Sequence, residues 1–184
     1  MKILGLSGSL RSVSINSALL RAATRLVPSY ITMSFFDGLG ELPLFNPDLE
    51  QSPQNIVTSF RSQVADADAL LIASPEYAHG ITGTMKNALD WLVSFEPVAE
   101  KPVAIFNASP RAHHADAALR EVLRTMAMVI VERASITVPL VGSQINEEGI
   151  LSNFVMVSTI RDALSSLHKF VVSDKNKMNA SFPL

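Results

Sequence analysis

Short apolar segments recur along the chain and alternate with stretches in which apolar residues return every three or four positions. The apolar segments are residues 2–6, 31–36, 69–73, 103–107 and 134–138. In segments of this length, apolar residues at consecutive positions would make both faces of a strand apolar. This is typical of strands buried within a parallel sheet. The pattern therefore predicts a strand at each of these segments.

The stretches between the predicted strands carry the spacing of amphipathic helices. The clearest one contains Met85, Ala88, Leu89 and Leu92, which fall on a single helix face. Comparable stripes lie within residues 19–27, 56–64, 119–126 and 154–171, the last beginning at Phe154. Parallel strands need crossover connections, and right-handed crossovers place helices on both faces of a sheet.

We expect a single α/β domain at residues 1–172, built as a three-layer, doubly wound parallel sheet of five strands in the order 2-1-3-4-5. A chain of 184 residues is long enough for one hydrophobic core and short for two domains. The polar segment 173–184 is expected to form a C-terminal tail that frays.

The composition narrows the classes of partner. Apolar residues make up 48% of the chain and the net charge is −2, so no strong field favours nucleic acid or an anionic membrane. There is no cysteine, which excludes disulfides, thiolate nucleophiles and cysteine-ligated metals and leaves redox chemistry to a bound cofactor. The first apolar segment is shorter than the apolar region of a signal peptide. We expect a cytoplasmic protein that acts on a small molecule, with no nucleic acid or membrane partner.

Ligands of doubly wound proteins bind at the carboxyl ends of the strands, where loops begin at Ser7, Ser74 and Ala108. The first loop places serine hydroxyls and Arg11 before a helix, where free backbone N–H groups attract anions. An arginine adds charge-assisted bonds, so this loop suits a phosphate monoester. The expected phosphate ligands are Ser9, Arg11, Ser14 and Asn16.

An ordinary capped turn is the alternative interpretation of the first loop, with Ser14 or Asn16 as the helix N-cap and Arg11 in solvent. The loop lacks the lysine and second glycine of a Walker A motif, and it lacks the three spaced glycines of a dinucleotide fingerprint. Asp37 follows the second strand as a ribose-binding acid would, but on its own it is a weak signal.

The second loop reads SPEYAHGITG from residue 74 and precedes the helical stretch TMKNALDW. Pro75 restricts the backbone, whereas Gly80 and Gly83 let a flat ligand approach it closely. Two motifs, GSLRSVSIN at residues 8–16 and PEY at 75–77 followed by KNALDW at 86–91, resemble those of the NADPH-dependent FMN reductase family. With the linking segment LPLFNPD at 42–48, the resemblance covers residues 2–110.

That family consists of flavodoxin-like quinone, chromate and azo-dye reductases. The resemblance therefore implies a flavodoxin-like fold, bound FMN, and NADPH or NADH as electron donor. It also implies a homodimer or homotetramer. The first loop would hold the FMN phosphate, and Pro75, Glu76 and Tyr77 would border the isoalloxazine ring. The full set of expected cofactor-binding residues is Ser9, Arg11, Ser14, Ile15, Asn16, Pro75, Glu76, Tyr77, Ala78, His79, Gly80, Ser109 and Arg111. No catalytic side chain and no metal ligand is expected, because the cofactor carries the chemistry.

We therefore expect an FMN-dependent NAD(P)H oxidoreductase of the FMN reductase or quinone reductase type. It would pass hydride through FMN in a ping-pong cycle to quinones, azo or nitro compounds, chromate or free flavin. The alternatives are a flavodoxin-type electron carrier without its own NAD(P)H reaction, and a cofactor-free binding protein on the same fold. Flavodoxin-type carriers are strongly acidic, whereas this chain is close to neutral.

Two features depart from the family pattern. Ala78 stands where many members have asparagine, and the third loop, SPRAHH from residue 109, replaces a loop that contains glycine. Arg111 is expected near the N1 and O2 edge of the flavin, where a cation stabilises the reduced anion. His113 and His114 are expected to be solvated rather than to bind a metal.

Several side chains outside these loops are expected to be structural. Lys86 and Asp90 have the spacing of an ion pair on a helix. Trp91 is expected to pack in the interior or to lie at an oligomer interface. Met126 and Met128 are expected in the core.

Overall fold

The chain alternates strands and helices, and the computed structural model describes residues 1–138 and 146–181. The strands are, in chain order, β1 Lys2–Ser7, β2 Thr32–Phe35, β3 Ala69–Ala73, β4 Glu76–Tyr77, β5 Gly80–Ile81, β6 Pro102–Asn107, β7 Val129–Ile130 and β8 Ile136–Thr137. The helices are α1 Ile15–Leu26, α2 Asn55–Asp66, α3 Gly83–Asp90, α4 His113–Thr125, α5 Glu147–Ser152 and α6 Phe154–Ser181.

The main sheet is parallel and has the order β2-β1-β3-β6-β7, with β8 also paired to β6. At its centre β1 and β3 are in register so that Ser7 stands opposite Ala73, at the carboxyl ends of both strands. With β6 as the fourth strand and β7 and β8 together as the fifth, this is the predicted order 2-1-3-4-5. The predicted fold class is confirmed.

The fifth strand differs from the prediction because it is interrupted. The sequence predicts one strand at 134–138, whereas β7 pairs with the start of β6 and β8 pairs with its end. Between them, the 3₁₀ helix Glu132–Ala134 carries the chain away from the sheet edge. The Ser135 hydroxyl oxygen accepts the Ile105 N–H at 3.1 Å, so a side chain satisfies a donor that a strand carbonyl would normally satisfy.

Apolar side chains of the strands alternate between two cores, one on each face of the sheet. Ile3 and Leu71 belong to the first core, which α1, α5 and α6 cover. Leu4 and Ile72 belong to the second core, which α2, α3 and α4 cover. These two helical layers and the sheet between them form the predicted three-layer arrangement.

The last helix is longer than the predicted stripe. Phe154 begins it with 83% of its surface exposed, so the buried face starts later, at Ile160 and Leu164. The backbone is helical as far as Ser181, which includes most of the segment expected to be a frayed tail, and residues 182–184 lie outside the described residues. No helix within residues 1–138 and 146–181 is long and apolar enough to cross a membrane.

Trp91 fixes the long connection between β2 and α2 against α3. Its side chain is fully buried, and its Nε1 donates to the Pro43 carbonyl oxygen at 2.7 Å. Phe45 packs edge-on against the indole, with 5.1 Å between ring centroids. Trp91 therefore packs in the interior, and two further expectations are confirmed, the Lys86–Asp90 ion pair and the burial of Met126 and Met128.

Gly8 is where the first and second loops touch. Its N–H donates to the Ala73 carbonyl oxygen at 2.9 Å, and its own carbonyl oxygen accepts the Thr82 hydroxyl at 2.8 Å. A Cβ at this position would lie 2.3 Å from the Ser74 Oγ and 3.0 Å from the Thr82 Oγ1. Only glycine allows the two loops to approach this closely.

We expect Gly8→Ala to lower the free energy of unfolding by about 1–3 kcal/mol, because the added methyl overpacks a buried contact. Urea denaturation of the variant measures this change. The control is Gly83→Ala, where a Cβ would meet nothing within 4 Å and a helix position gains a better helix former. If both variants unfold like the parent protein, the tight contact at Gly8 is not what holds the loops together.

Candidate functional site

A cleft with a volume of about 480 Å³ opens at the carboxyl ends of β1, β3 and β6. Its walls belong to the first loop (residues 7–16), the second loop (residues 74–83) and the third loop (residues 108–114). The residues that line it are Arg11, Ile15, Asn16, Ser74, Pro75, Glu76, Asn107, Ala108, Ser109, Arg111 and Ala112. Since ligands of doubly wound sheets bind at this edge, the cleft is the candidate site.

The first loop leads into α1 through a side-chain cap. Ser14 is the N-cap residue, and its hydroxyl oxygen accepts the Ser17 N–H at 3.2 Å. The hydroxyl keeps its own proton, which it can still donate to a ligand. The first N–H groups of α1 have no acceptor within the helix, so they and the positive end of the helix dipole favour an anion here.

Asn16 carries a buried polar atom that a ligand could satisfy. Its side chain is buried, and its Oδ1 is the one buried side-chain polar atom without a hydrogen-bond partner among the residues that the structure describes. A buried polar atom left unpaired costs free energy, and Asn16 lines the cleft. A ligand that donates a hydrogen bond to this oxygen would remove that cost.

Ser9 lies on the other side of the first loop. It lines a second cavity of about 330 Å³, together with Arg21, Phe36 and Asp37. The Ser9 Oγ accepts the Arg11 N–H at 3.4 Å, so it supports the backbone that carries Arg11. Asp37 is thus near the first loop but does not line the cleft.

The second loop contains the small antiparallel hairpin of β4 and β5, in which Tyr77 pairs with Gly80. The two residues of its turn, Ala78 and His79, both have left-handed backbone, with φ of 49° and 58°. Positive φ at both turn positions is the pattern of a type I′ turn, which asparagine and glycine favour. Ala78 is therefore strained, because a Cβ disfavours this conformation.

Glu76 links the hairpin to α4. Its Oε2 accepts the Ala115 N–H at 2.8 Å, and the N-cap residue of that helix, Ala112, has no side-chain bond of its own. The Ala115 N–H lowers the pKa of the Glu76 carboxyl below its usual range, the neighbouring His114 and His79 act in the same direction, and burial opposes them. Glu76 thus acts as the cap of a helix that begins 37 residues later in the chain.

The third loop is shaped by Asn107, a buried residue at the end of β6. Its Oδ1 accepts the Ser109 N–H at 2.9 Å, and its Nδ2 donates to the Ala112 carbonyl oxygen at 3.3 Å. Arg111 is exposed on this loop, and its N–H bonds to the Ser109 Oγ at 3.3 Å. The side chain of Asn107 thereby sets the position of the loop that carries Arg111.

Three imidazole rings meet at the outer edge of the second and third loops. His79 stacks on His114 with 4.4 Å between ring centroids and 11° between ring planes. The ring of His113 lies 4.1 Å from that of His114. All three are exposed, and no group of three or more His, Cys, Asp or Glu side chains in the described parts of the chain is arranged to hold a metal.

The structure brings together seven of the expected cofactor-binding residues as walls of the cleft. They are Arg11, Ile15, Asn16, Pro75, Glu76, Ser109 and Arg111. Ser9 supports the backbone of the first loop, and Ser14 caps α1. The hairpin that adjoins the cleft contains Tyr77, Ala78, His79 and Gly80. Sequence reasoning named Ser74 and Ala108 only as the first residues of their loops. It did not single out Asn107 and Ala112, although the position of Asn107 at the end of β6 was a usable signal.

We expect the stabilising effect of Glu76 to depend on pH. Its pKa is lowered in the folded state, so its contribution is complete above about pH 5 and is lost as the pH falls through the lowered pKa. Glu76→Gln should therefore unfold more easily than the parent at pH 7, and the gap between the two melting temperatures should shrink in acid. Melting curves from pH 7 downward test this, with Glu121→Gln on the exposed face of α4 as the control. A gap that is constant with pH would show that the charge of Glu76 does not cap α4.

Curated relatives match between half and three fifths of the chain. It is 45% identical over 112 residues to an NAD(P)H-dependent FMN reductase from Pseudomonas aeruginosa, a match that covers 59% of this chain and 60% of the relative. It is 43% identical over 91 residues to a 2-hydroxy-1,4-benzoquinone reductase from a Burkholderia species, covering 50% of this chain and 49% of the relative. The matches thus span between half and three fifths of these relatives.

Solved structures extend the likeness to nearly the whole fold. A flavoenzyme NAD(P)H:(acceptor) oxidoreductase from Paracoccus denitrificans superposes with a TM-score of 0.75 at 22% identity, covering 91% of this chain and 97% of that one. A flavodoxin, WrbA-like protein from Agrobacterium tumefaciens gives a TM-score of 0.61 at 12% identity, covering 94% and 97%. These likenesses establish a flavodoxin-like fold. Residues 1–141 also match the family model of NADPH-dependent FMN reductases, and the chain belongs to this family.

Proposed function

We propose that the cleft binds FMN, with the phosphate at the first loop. The observation that carries this proposal is the unpaired Oδ1 of the buried Asn16, to which a ribityl hydroxyl of FMN can donate. Arg11 is exposed at the same loop and supplies charge-assisted bonds to the phosphate. The Ser14 hydroxyl, the start of α1 at Ile15 and the support from Ser9 complete the proposed phosphate site.

The isoalloxazine ring, in this proposal, lies between the second and third loops. Pro75 and Glu76 line one side of the cleft, and Ser109 and Arg111 line the other. The hairpin of Tyr77, Ala78, His79 and Gly80 extends along the outer border of the ring. Close approach of the ring to backbone is favoured because small side chains, Ala108 and Ala112, line the cleft between these groups.

The activity that we propose is oxidation of NADPH or NADH with reduction of a small acceptor. FMN held in this cleft would supply the hydride transfer between donor and acceptor. The chain orients the cofactor and leaves one side of the cleft open, so donor and acceptor occupy it in turn, in a ping-pong cycle. The Glu76 carboxylate accepts a hydrogen bond from α4 and does not act as the proton donor. Water therefore supplies the proton that an acceptor takes up.

Candidate acceptors are quinones, azo and nitro compounds, chromate and free flavin. A quinone is the first to test, because a relative that is 43% identical over its matched segment is a 2-hydroxy-1,4-benzoquinone reductase.

The assembly that we propose is a homodimer or homotetramer in the cytoplasm. Leu10 on the first loop and Tyr77 on the second are large apolar side chains with 65% and 53% of their surface exposed. A second copy of the chain placed there would cover them beside the cleft. Light scattering of the purified protein measures the mass, and a monomer at micromolar concentration would contradict this assembly.

The test of the proposed function is the absorbance spectrum of the purified protein, before and after anaerobic addition of NADPH. A flavin gives bands at about 370 and 450 nm, and we expect them to bleach promptly. FMN is added first if the protein is colourless. Bands that persist with NADPH and NADH would indicate an electron carrier, and failure to bind added FMN would indicate a cofactor-free protein.

We expect Arg11→Ala to weaken FMN binding about 10- to 150-fold, because it removes a charge-assisted bond worth about 1.5–3 kcal/mol. Quenching of FMN fluorescence on titration with apoprotein measures the dissociation constant. Arg25→Ala is the control, since it removes the same charge from the far end of α1, where Arg25 pairs with Glu147. Equal affinities for the two variants would move the phosphate away from the first loop.

A further inference from the structure

The charged side chains that line the cleft within the described residues are Arg11, Glu76 and Arg111. Arg11 belongs to the first loop, where the proposed phosphate compensates its charge. Arg111 lies on the third loop, across the cleft. The net charge at the open side of the cleft therefore depends on Glu76 and Arg111.

The Glu76 carboxylate is engaged by α4 rather than by Arg111. It accepts the Ala115 N–H at 2.8 Å and faces the positive end of the α4 dipole. Backbone dipoles thus compensate the carboxylate at short range. Arg111 has no comparable compensation, because no carboxylate lies within 4.0 Å of its guanidinium among the salt bridges of residues 1–138 and 146–181.

The backbone of the third loop holds Arg111 at this rim. Its N–H bonds to the Ser109 Oγ at 3.3 Å, and its carbonyl oxygen lies 3.1 Å from the Nδ1 of His113. These bonds fix the main chain and leave the exposed guanidinium with its five N–H donors for a ligand. A guanidinium pairs with planar anions such as carboxylate and sulfonate through two parallel bonds.

Three imidazole rings lie beside this rim, on the hairpin and on the first turn of α4. His79 stacks on His114, the His113 ring lies 4.1 Å from that of His114, and the His113 Nδ1 contacts the Arg111 carbonyl oxygen. These exposed rings offer flat faces against which an aromatic ligand can pack.

We propose that the acceptor reduced in this cleft is an anion, an aromatic quinone that carries a sulfonate, carboxylate or acidic hydroxyl beside the reducible ring, and that Arg111 recognises this group. The proposal rests on the proposed function, since it names the class of acceptor for the same site. Reduction of such a quinone takes up a hydride from reduced FMN and a proton from water, and gives the hydroquinone and oxidised FMN. The anionic group keeps its charge throughout, so Arg111 contacts it before and after the transfer.

Equilibrium binding to the FMN-loaded protein tests the recognition without turnover. The probes are naphthalene-2-sulfonate and the neutral 2-naphthalenemethanol, neither of which FMN reduces, measured by isothermal titration calorimetry. We expect the sulfonate to bind more tightly than the alcohol at low salt and to lose that advantage at high salt. Arg111→Gln should weaken sulfonate binding about 3- to 10-fold and leave the alcohol unchanged, whereas Arg124→Gln, at the other end of α4, should change neither.

A second measurement keeps the proposal testable if Arg111→Gln fails to retain FMN. Sulfonate affinity of the parent protein should fall as the salt concentration rises, whereas affinity for the neutral alcohol should not change. Equal affinity for the two probes, or sulfonate affinity that is independent of salt, overturns the proposal.

Turnover assays with two quinones distinguish a failure of this proposal from a failure of the proposed function. If 1,4-naphthoquinone is reduced with NADPH as efficiently as its 2-sulfonate, the protein is a reductase and the anionic acceptor is wrong. If neither quinone is reduced and NADPH does not bleach FMN, both proposals fail. A higher kcat/KM for the sulfonate that Arg111→Gln abolishes supports both.

Discussion

Pairing of β1 with β3 at the centre of the sheet is the interaction on which the site depends. It places Ser7 opposite Ala73, so two loops leave the sheet side by side. The hydrogen bonding between the two strands then continues one residue beyond the end of β1, because the Gly8 N–H donates to the Ala73 carbonyl oxygen. The hydroxyl of Thr82 bonds to the carbonyl oxygen of Gly8 and also caps α3 through the Met85 N–H. One cluster of buried hydrogen bonds therefore joins the start of the first loop to the end of the second.

In the function that we propose, the loops at this edge of the sheet have two separate tasks. The first loop, with its helix-start N–H groups, hydroxyls and Arg11, would bind the phosphate. The third loop offers Arg111 at an exposed rim, supported from below by the side chain of Asn107. The hairpin between them is held in a strained turn at Ala78 and His79, and strain of this kind persists only where the surroundings compensate it. Here the surroundings are the Glu76 bond and the histidine stack against α4.

The sequence predicts the sheet order and the loops well because the buried strands are continuous apolar runs and the two motifs stand at the ends of strands. It predicts the second half of the fifth strand, β8, but misses β7 and the interruption between them, because the bond from the Ile105 N–H to the Ser135 hydroxyl oxygen joins residues that no local pattern connects. The role of Glu76 is hidden for the same reason, since its partner Ala115 lies 39 residues away. Phe154 fits a helical stripe and yet is exposed, because periodicity identifies a face but not where along the helix its partner begins.

The cap that Glu76 supplies to α4 has a consequence for how the protein opens. The Ala115 N–H donates to a side chain on β4 rather than to a carbonyl of its own helix. We therefore expect amide exchange at the start of α4 to follow the opening of the hairpin and not the fraying of the helix. In that case the two segments open together, and a ligand on the hairpin would slow amide exchange at the start of α4.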